Sequence, residues 1–158
     1  MHMDNNIEGV EIKELKTWED ERGWLIEIFR EDEIDLKPAM AYVSHTKPGV
    51  VRGPHEHKAQ TDLFVFTGYG DFELYLWDAR KDSPTKGKHV KIVVGESFNA
   101  TVSVPPGVVH GYKSISKNGS FSINLPDKLY AGPGKKEEVD EIRHENNKDS
   151  PYKIPEGL

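Results

Sequence analysis

Cysteine is absent from the 158 residues, so neither disulfides nor thiolate chemistry contribute to stability or function. A chain without cysteine suits a reducing compartment, and the expected location is cytoplasmic. Basic charge is also short: 21 Lys and Arg against 27 Asp and Glu leave a net charge of −6. That balance argues against a nucleic acid or an anionic membrane as partner, since both need a basic face. It leaves room for a phosphorylated small ligand, which a few local arginines can hold. No apolar run approaches the length of a membrane helix or a signal-peptide core. Repeats, low-complexity tracts and linkers are lacking too, which points to one domain over residues 1–158. The opening MHMDNN, residues 1–6, is expected to be disordered and is set aside. Helical periodicity is scarce: only EDEIDL (31–36) and KKEEVDEIRHE (135–145) qualify, as short flanking helices.

What is abundant is alternation. In GDFELYLWDAR, Phe72, Leu74 and Leu76 alternate with Glu73, Tyr75 and Trp77, the pattern of a half-buried strand. VEIKELKTW, RGWLIEIFR, AMAYVSHT, TDLFVFTG, HVKIVVGE, NATVSVP and GSFSINLP read the same way. Turn residues punctuate them, drawn from 14 glycines and 10 prolines. Many short strands at regular spacing predict an all-β sandwich or barrel.

Chemistry concentrates in VRGPHEHKAQTD, residues 51–62. His55 and His57 stand two apart on a predicted strand, so their side chains share a face. Downstream, VPPGVVHGY supplies a tight turn at Pro105-Pro106-Gly107 and a third histidine, His110. H-x-H followed by P-x-G-x-x-H resembles the two signature motifs of the cupin superfamily, over about residues 50 to 115. The resemblance implies a double-stranded β-helix, the cupin jelly-roll barrel. In it three histidines converge, often on a divalent metal; Zn, Fe, Ni and Mn are the options. The fourth cupin ligand is normally a glutamate. Gln60 and Asp62 are the candidates here, with Thr61 standing in the glutamate position.

Four ordered stretches narrow the resemblance: DERGWLIEIF (20–29), GVVRGPH (49–55), WDARKDSPTKG (77–87) and VPPGVVHGY (104–112). Together they are similar to the dTDP-4-dehydrorhamnose 3,5-epimerase family. The likeness implies a homodimer that needs no cofactor and acts on a 4-keto nucleotide sugar. It implies that Arg22 reaches nucleotide phosphates across the dimer interface, with Glu27 nearby. It places Arg52 beside sugar and phosphate, makes His55 the base at the carbon next to the ketone, and puts His110 in the same pocket. An imidazole is suited to that C–H if nearby donors stabilise the enolate oxygen.

The chain also departs from the family pattern. Counting from His110 puts Ile123 where the family has its catalytic tyrosine. No lysine stands near Thr61 to Leu63. Met40 and Tyr42 replace a nucleotide-contacting Gln and Asn, and the acidic residue that orients the base is expected beyond the end of this chain. R-G-x-H-x-H, with His57, is also similar to the sugar-nucleotide 3,4-ketoisomerases, where two histidines move a proton along one face. Tyr112 and Tyr130 are candidate replacement donors, and with Gln60 they complete the expected substrate-binding set. Asp78 and Arg80 read as a structural pair, and Trp77, Phe64 and Phe66 as core or interface. Asp140, Glu141 and His144 read as a solvated face, and His2, His45 and His89 as surface. Three functions stay open: nucleotide-sugar epimerase or ketoisomerase, metal-dependent cupin enzyme, and non-catalytic nucleotide-sugar-binding cupin.

Overall fold

A computed structural model describes residues 7–158; the expectation for residues 1–6 lies outside the described residues. Alternating side chains become strands almost everywhere they were read. They are β1 (Glu11–Glu14), β2 (Thr17–Asp20), β3 (Gly23–Ile26), β4 (Tyr42–Thr46), β5 (Val51–Glu56) and β6 (Asp62–Phe66). After these come β7 (Asp71–Asp78), β8 (His89–Gly95), β9 (Ala100–Val104), β10 (Val108–Ser114), β11 (Ser120–Asn124) and β12 (Ile142–Arg143). Two five-stranded sheets, β1-β9-β6-β11-β4 and β12-β5-β10-β7-β8, form the jelly roll, and β2-β3 stands apart as a hairpin. Among the described residues the strand pairings are all antiparallel.

The core lies between the two large sheets. Phe64, Phe66, Val102 and Val104 from one meet Phe72, Leu74, Leu76, Val94 and Val108 from the other. Phe66, Phe72, Leu74 and Leu76 are wholly buried, as the period-two reading requires. Burying each such side chain contributes about 1.5–3 kcal/mol.

Neither predicted helix forms. Residues 31–36 make only a turn, held by the amides of Glu33 and Ile34 on the Arg30 carbonyl. Residues 135–145 run extended into β12, flanked by 3-10 turns at Pro133–Lys135 and His144–Asn146. Val139 and Ile142 offer too little apolar stripe to bind a helix to the barrel. Backbone pairing with β5 and the side-chain contacts described below hold the segment instead.

β5 is the central element for function, paired on one side with β10 and on the other with β12. Register sets His110 opposite His55, and Arg143 opposite His55 on the far side. The close approach needs Gly53: at its φ of 82° a Cβ would lie 2.8 Å from the His110 carbonyl oxygen.

Candidate active site

A cavity of about 970 Å³ opens beside β5. Arg52, His55 and Tyr112 line it from one sheet, Tyr42, Ser44 and Phe64 from the other. Residues of the 126–145 segment, among them Tyr130, Asp140 and Glu141, complete the wall. This is within the size range of a small-molecule site.

The three histidines converge. The His55 ring centroid lies 5.7 Å from that of His57 and 4.6 Å from that of His110, and the last two are 5.8 Å apart. His57 lies just past the end of β5, so a turn rather than strand alternation aims it. Its Nδ1 donates to the Asp140 carbonyl, while His110 Nδ1 donates to the Val108 carbonyl at 3.0 Å. Both rings therefore present Nε2 inward, and both meet the same oxygen. Asp62 Oδ2 stands 3.0 Å from His57 Nε2 and 3.3 Å from His110 Nε2. Asp62 Oδ1 accepts from Gln60 Nε2 at 2.8 Å and Asn124 Nδ2 at 2.9 Å.

These contacts push neighbouring groups apart in acidity. Burial would raise the Asp62 carboxyl, but the His110 and His57 rings beside it hold it well below the usual carboxylate range. Burial opposes charge on His57 too, yet the Asp62 carboxylate lifts its pKa above the ordinary value. His55 has no carboxylate as close as Asp62 is to His57. Burial, with charge on His110 and His57 next, pushes it down to about 2, so it is a neutral imidazole at pH 7. Burial raises the Tyr112 phenol to about 12 and also raises Tyr42.

The solvated face expected at Asp140, Glu141 and His144 is a correction. Pairing of β12 with β5 turns all three onto the site. Glu141 Oε1 lies 3.6 Å from His55 Nδ1, with both side chains under one-fifth exposed, and Arg143 Nε donates to Glu141 Oε2 at 2.8 Å. An acidic neighbour for His55 therefore lies within the described chain. The Asp140 carboxylate accepts the amides of Lys58, Ala59 and Gln60 at 2.8, 2.8 and 2.9 Å, fixing the loop that carries His57. His144 Nε2 bonds Glu56 Oε1 at 2.9 Å. The only local signal was Val139 and Ile142, too short to read as a strand.

The other expected residues fall as follows. Arg52 donates to Thr46 Oγ1 at 2.8 Å and to the His45 carbonyl at 3.0 Å on the cavity wall. Tyr130 is 53% exposed at the cavity edge, its amide against Met40 sulfur. Arg22, paired with Asp20, and Glu27, paired with Arg30, lie on exposed segments and do not line this cavity. Ile123 is not among the cavity-lining residues; its strand neighbours Ser122 and Asn124 are the buried ones, bonded to Tyr112 and to Tyr42 and Asp62. Asp78 is a buried structural acceptor for Arg80, Ser83 and Thr85. Phe64 and Phe66 are core, with Phe64 also reaching the cavity wall.

Donor chemistry fits a divalent cation. Nitrogens of His55, His57 and His110 lie within 4.8 Å of one another. Metal–ligand bonds of about 2.1 Å place cis ligands roughly 3–3.5 Å apart, the separation of Asp62 Oδ2 from the two Nε2 atoms. His110 Nε2 is buried with no aligned hydrogen bond among the described residues.

The cavity and the three-histidine cluster beside it can be set beside known proteins. A family model described as dTDP-4-dehydrorhamnose 3,5-epimerase matches residues 4–143. The chain belongs to that family. It is an enzyme of the nucleotide-sugar epimerase type. The probable low-salt glycan biosynthesis epimerase Agl13 of Haloferax volcanii is 41% identical over 128 residues, covering 79% of this chain and 81% of that protein. The dTDP sugar isomerase of Desulfovibrio desulfuricans superposes with a TM-score of 0.81 over 94% of this chain and 92% of its own, at 22% identity. ChmJ, a 3'-monoepimerase of Streptomyces bikiniensis crystallised with dTDP-quinovose, superposes at 0.77 over 96% of this chain and 79% of its own, at 21% identity. At those identities the two structures support the shared fold alone. Among the described residues no helix is long and apolar enough to cross a membrane.

Proposed function

We propose that this protein moves a proton at a carbon beside the 4-keto group of a nucleotide-diphospho-deoxysugar. The observation that carries the reading is His55, a neutral buried imidazole at the cavity wall with the Glu141 carboxylate 3.6 Å behind its Nδ1. Nδ1 toward an acid leaves Nε2 to take the proton, and the acid favours the imidazolium that forms. Arg52 at the wall is placed for phosphate or the developing enolate oxygen. His57, held by Asp62, and His110 are the partner acid-base and orienting groups. Tyr112, Tyr130 and Gln60 shape the sugar and nucleotide ends.

Arg22 and Glu27 enter this scheme only through a second copy. The β2-β3 hairpin carries exposed Trp18, Trp24 and Leu25, at 52%, 52% and 58%. That surface supports a homodimer in which the hairpin covers the partner.

In deuterium oxide, a panel of dTDP- and UDP-linked 4-keto-6-deoxyhexoses is expected to gain deuterium beside the ketone. His55→Ala is expected to lower the exchange rate about 10²–10⁴-fold. Exchange unaffected by His55→Ala overturns the assignment; tight binding without exchange in the native protein makes this a binding module.

One observation favours a second reading, the unaligned, buried His110 Nε2 beside Asp62. A divalent cation held by His55, His57, His110 and Asp62 would supply Lewis-acid polarisation of the keto oxygen. Stoichiometric metal in protein purified without chelator, lost in His57→Ala, would establish it.

A further inference from the structure

Inverting a carbon needs two groups: a base on one face of the sugar ring and a proton donor on the other. His55 stands on β5, in the sheet β12-β5-β10-β7-β8. Tyr112 stands on β10 in that same sheet, is 5% exposed and has its hydroxyl oxygen accepting from Ser122 Oγ at 3.4 Å inside the barrel, so its phenol sits behind other atoms. Tyr130 lies on the outer segment, more than half exposed. Ile123 carries no proton and is not on the cavity wall. The facing sheet, β1-β9-β6-β11-β4, presents one tyrosine to the cavity among the described residues, Tyr42 at the start of edge strand β4.

The surroundings of Tyr42 suit a donor. Asn124, 2% exposed on neighbouring β11, sends its Nδ2 toward both Asp62 Oδ1 at 2.9 Å and the Tyr42 oxygen at 3.0 Å. A carboxylate only accepts, so Asp62 fixes the amide with its NH₂ group toward Tyr42. The phenol oxygen therefore accepts a hydrogen bond, and its own proton is left to point into the cavity. At 45% exposure within the wall, Tyr42 can reach a bound molecule.

The geometry points to Tyr42 as the proton donor opposite His55, the group that completes inversion at the carbon beside the ketone. The inference rests on the epimerase reading above. His55 Nε2 takes the C–H proton, and the electron pair forms the carbon–carbon double bond of an enolate. The Tyr42 O–H then delivers its proton from the opposite face, the new C–H bond forms and the ketone is restored. The Tyr42 phenolate, bonded by Asn124, regains a proton from water as His55 gives one up. Atoms and charge balance, and no co-reactant is consumed.

The test follows dTDP-linked 4-keto-6-deoxyhexose in deuterium oxide by NMR, reading exchange and inversion separately. Tyr42→Phe is expected to keep His55-dependent exchange within about fivefold, because the base still forms the enolate and solvent refills it from the same face. Inversion is expected to fall at least 100-fold in kcat, with KM within about threefold. A substitution that merely loosened the fold would lower both rates together and shift KM. Tyr42→Phe that inverts normally overturns the role of Tyr42 and leaves the epimerase reading intact. Exchange without inversion in the native enzyme overturns it in favour of same-face return by His57. Native enzyme that shows no exchange overturns both readings.

Discussion

Asp140 offers a quantitative check on how the site is held. Its carboxylate accepts three backbone amides from consecutive residues, Lys58, Ala59 and Gln60, all below 3.0 Å. Asp140→Ala removes both acceptor oxygens and with them all three hydrogen bonds. The amides of Lys58 and Ala59 are exposed and can turn to water, so each loss costs about 0.5–1.5 kcal/mol. The Gln60 amide is partly buried and leaves an unsatisfied donor, at about 1–3 kcal/mol. The sum is roughly 2–6 kcal/mol, centred near 4. Asp140→Asn keeps one acceptor oxygen and should cost about half as much. The carbonyl of Asp140 also holds His57 Nδ1, so loosening the loop should free that ring to rotate. Urea denaturation of both variants measures the stability terms, and NMR of the histidine rings reports His57. Asp140→Ala within about 0.5 kcal/mol of the native protein, with His57 unmoved, would refute the view that this residue staples the 58–60 loop to the 126–145 segment.

Two further outcomes follow from the same contacts. Glu141→Gln keeps the shape beside His55 but removes the charge, and should lower kcat by about 10–100-fold at unchanged KM, a fraction of what a general base contributes; steady-state kinetics on the exchange reaction read it. Asp78 is buried and accepts from Arg80, Ser83 and Thr85. Burial alone would raise its pKa, yet those donors depress it well below the usual carboxylate range. A depressed folded pKa means stability that is present above the unfolded value of about 3.9 and lost as pH falls below it. Asp78→Asn should therefore lose about 3–5 kcal/mol at neutral pH and show a flatter acid limb in chemical denaturation across pH 2–5.

Strands and histidines were legible because both are written locally. Alternation in Phe72, Leu74 and Leu76 survives into the barrel since each residue's face depends only on its immediate neighbours. His55 and His110 meet because β5 and β10 pair directly, and both motifs carry the turn residues that start those strands. Glu141 was illegible for the opposite reason. It reaches His55 through a two-residue strand whose partner is distant in the chain, and a charged run with two apolar residues gives no sign of such pairing. Asp62 showed its carboxylate but not its use. Whether it would bind metal or take hydrogen bonds depends on His57 and Gln60 in the loop before β6 and on Asn124 arriving from β11.

The tyrosine shows most sharply where counting along a chain stops working. Transferring a role by distance from His110 assumes that the intervening turn preserves which side of the sheet each residue faces. A strand changes face at every residue, so one residue more or less in the Ile115–Gly119 turn exchanges the inward set for the outward set. Here Ser120, Ser122 and Asn124 are buried while Phe121 is exposed and Ile123 misses the cavity wall. The site must then find its second tyrosine among inward positions of adjacent strands, and the register pairs Asn124 with Tyr42. A position read from sequence as a lost nucleotide contact thus becomes, among the described residues, the one tyrosine that the facing sheet presents to the cavity, because the sheet, not the spacing, decides which side chains share the cavity.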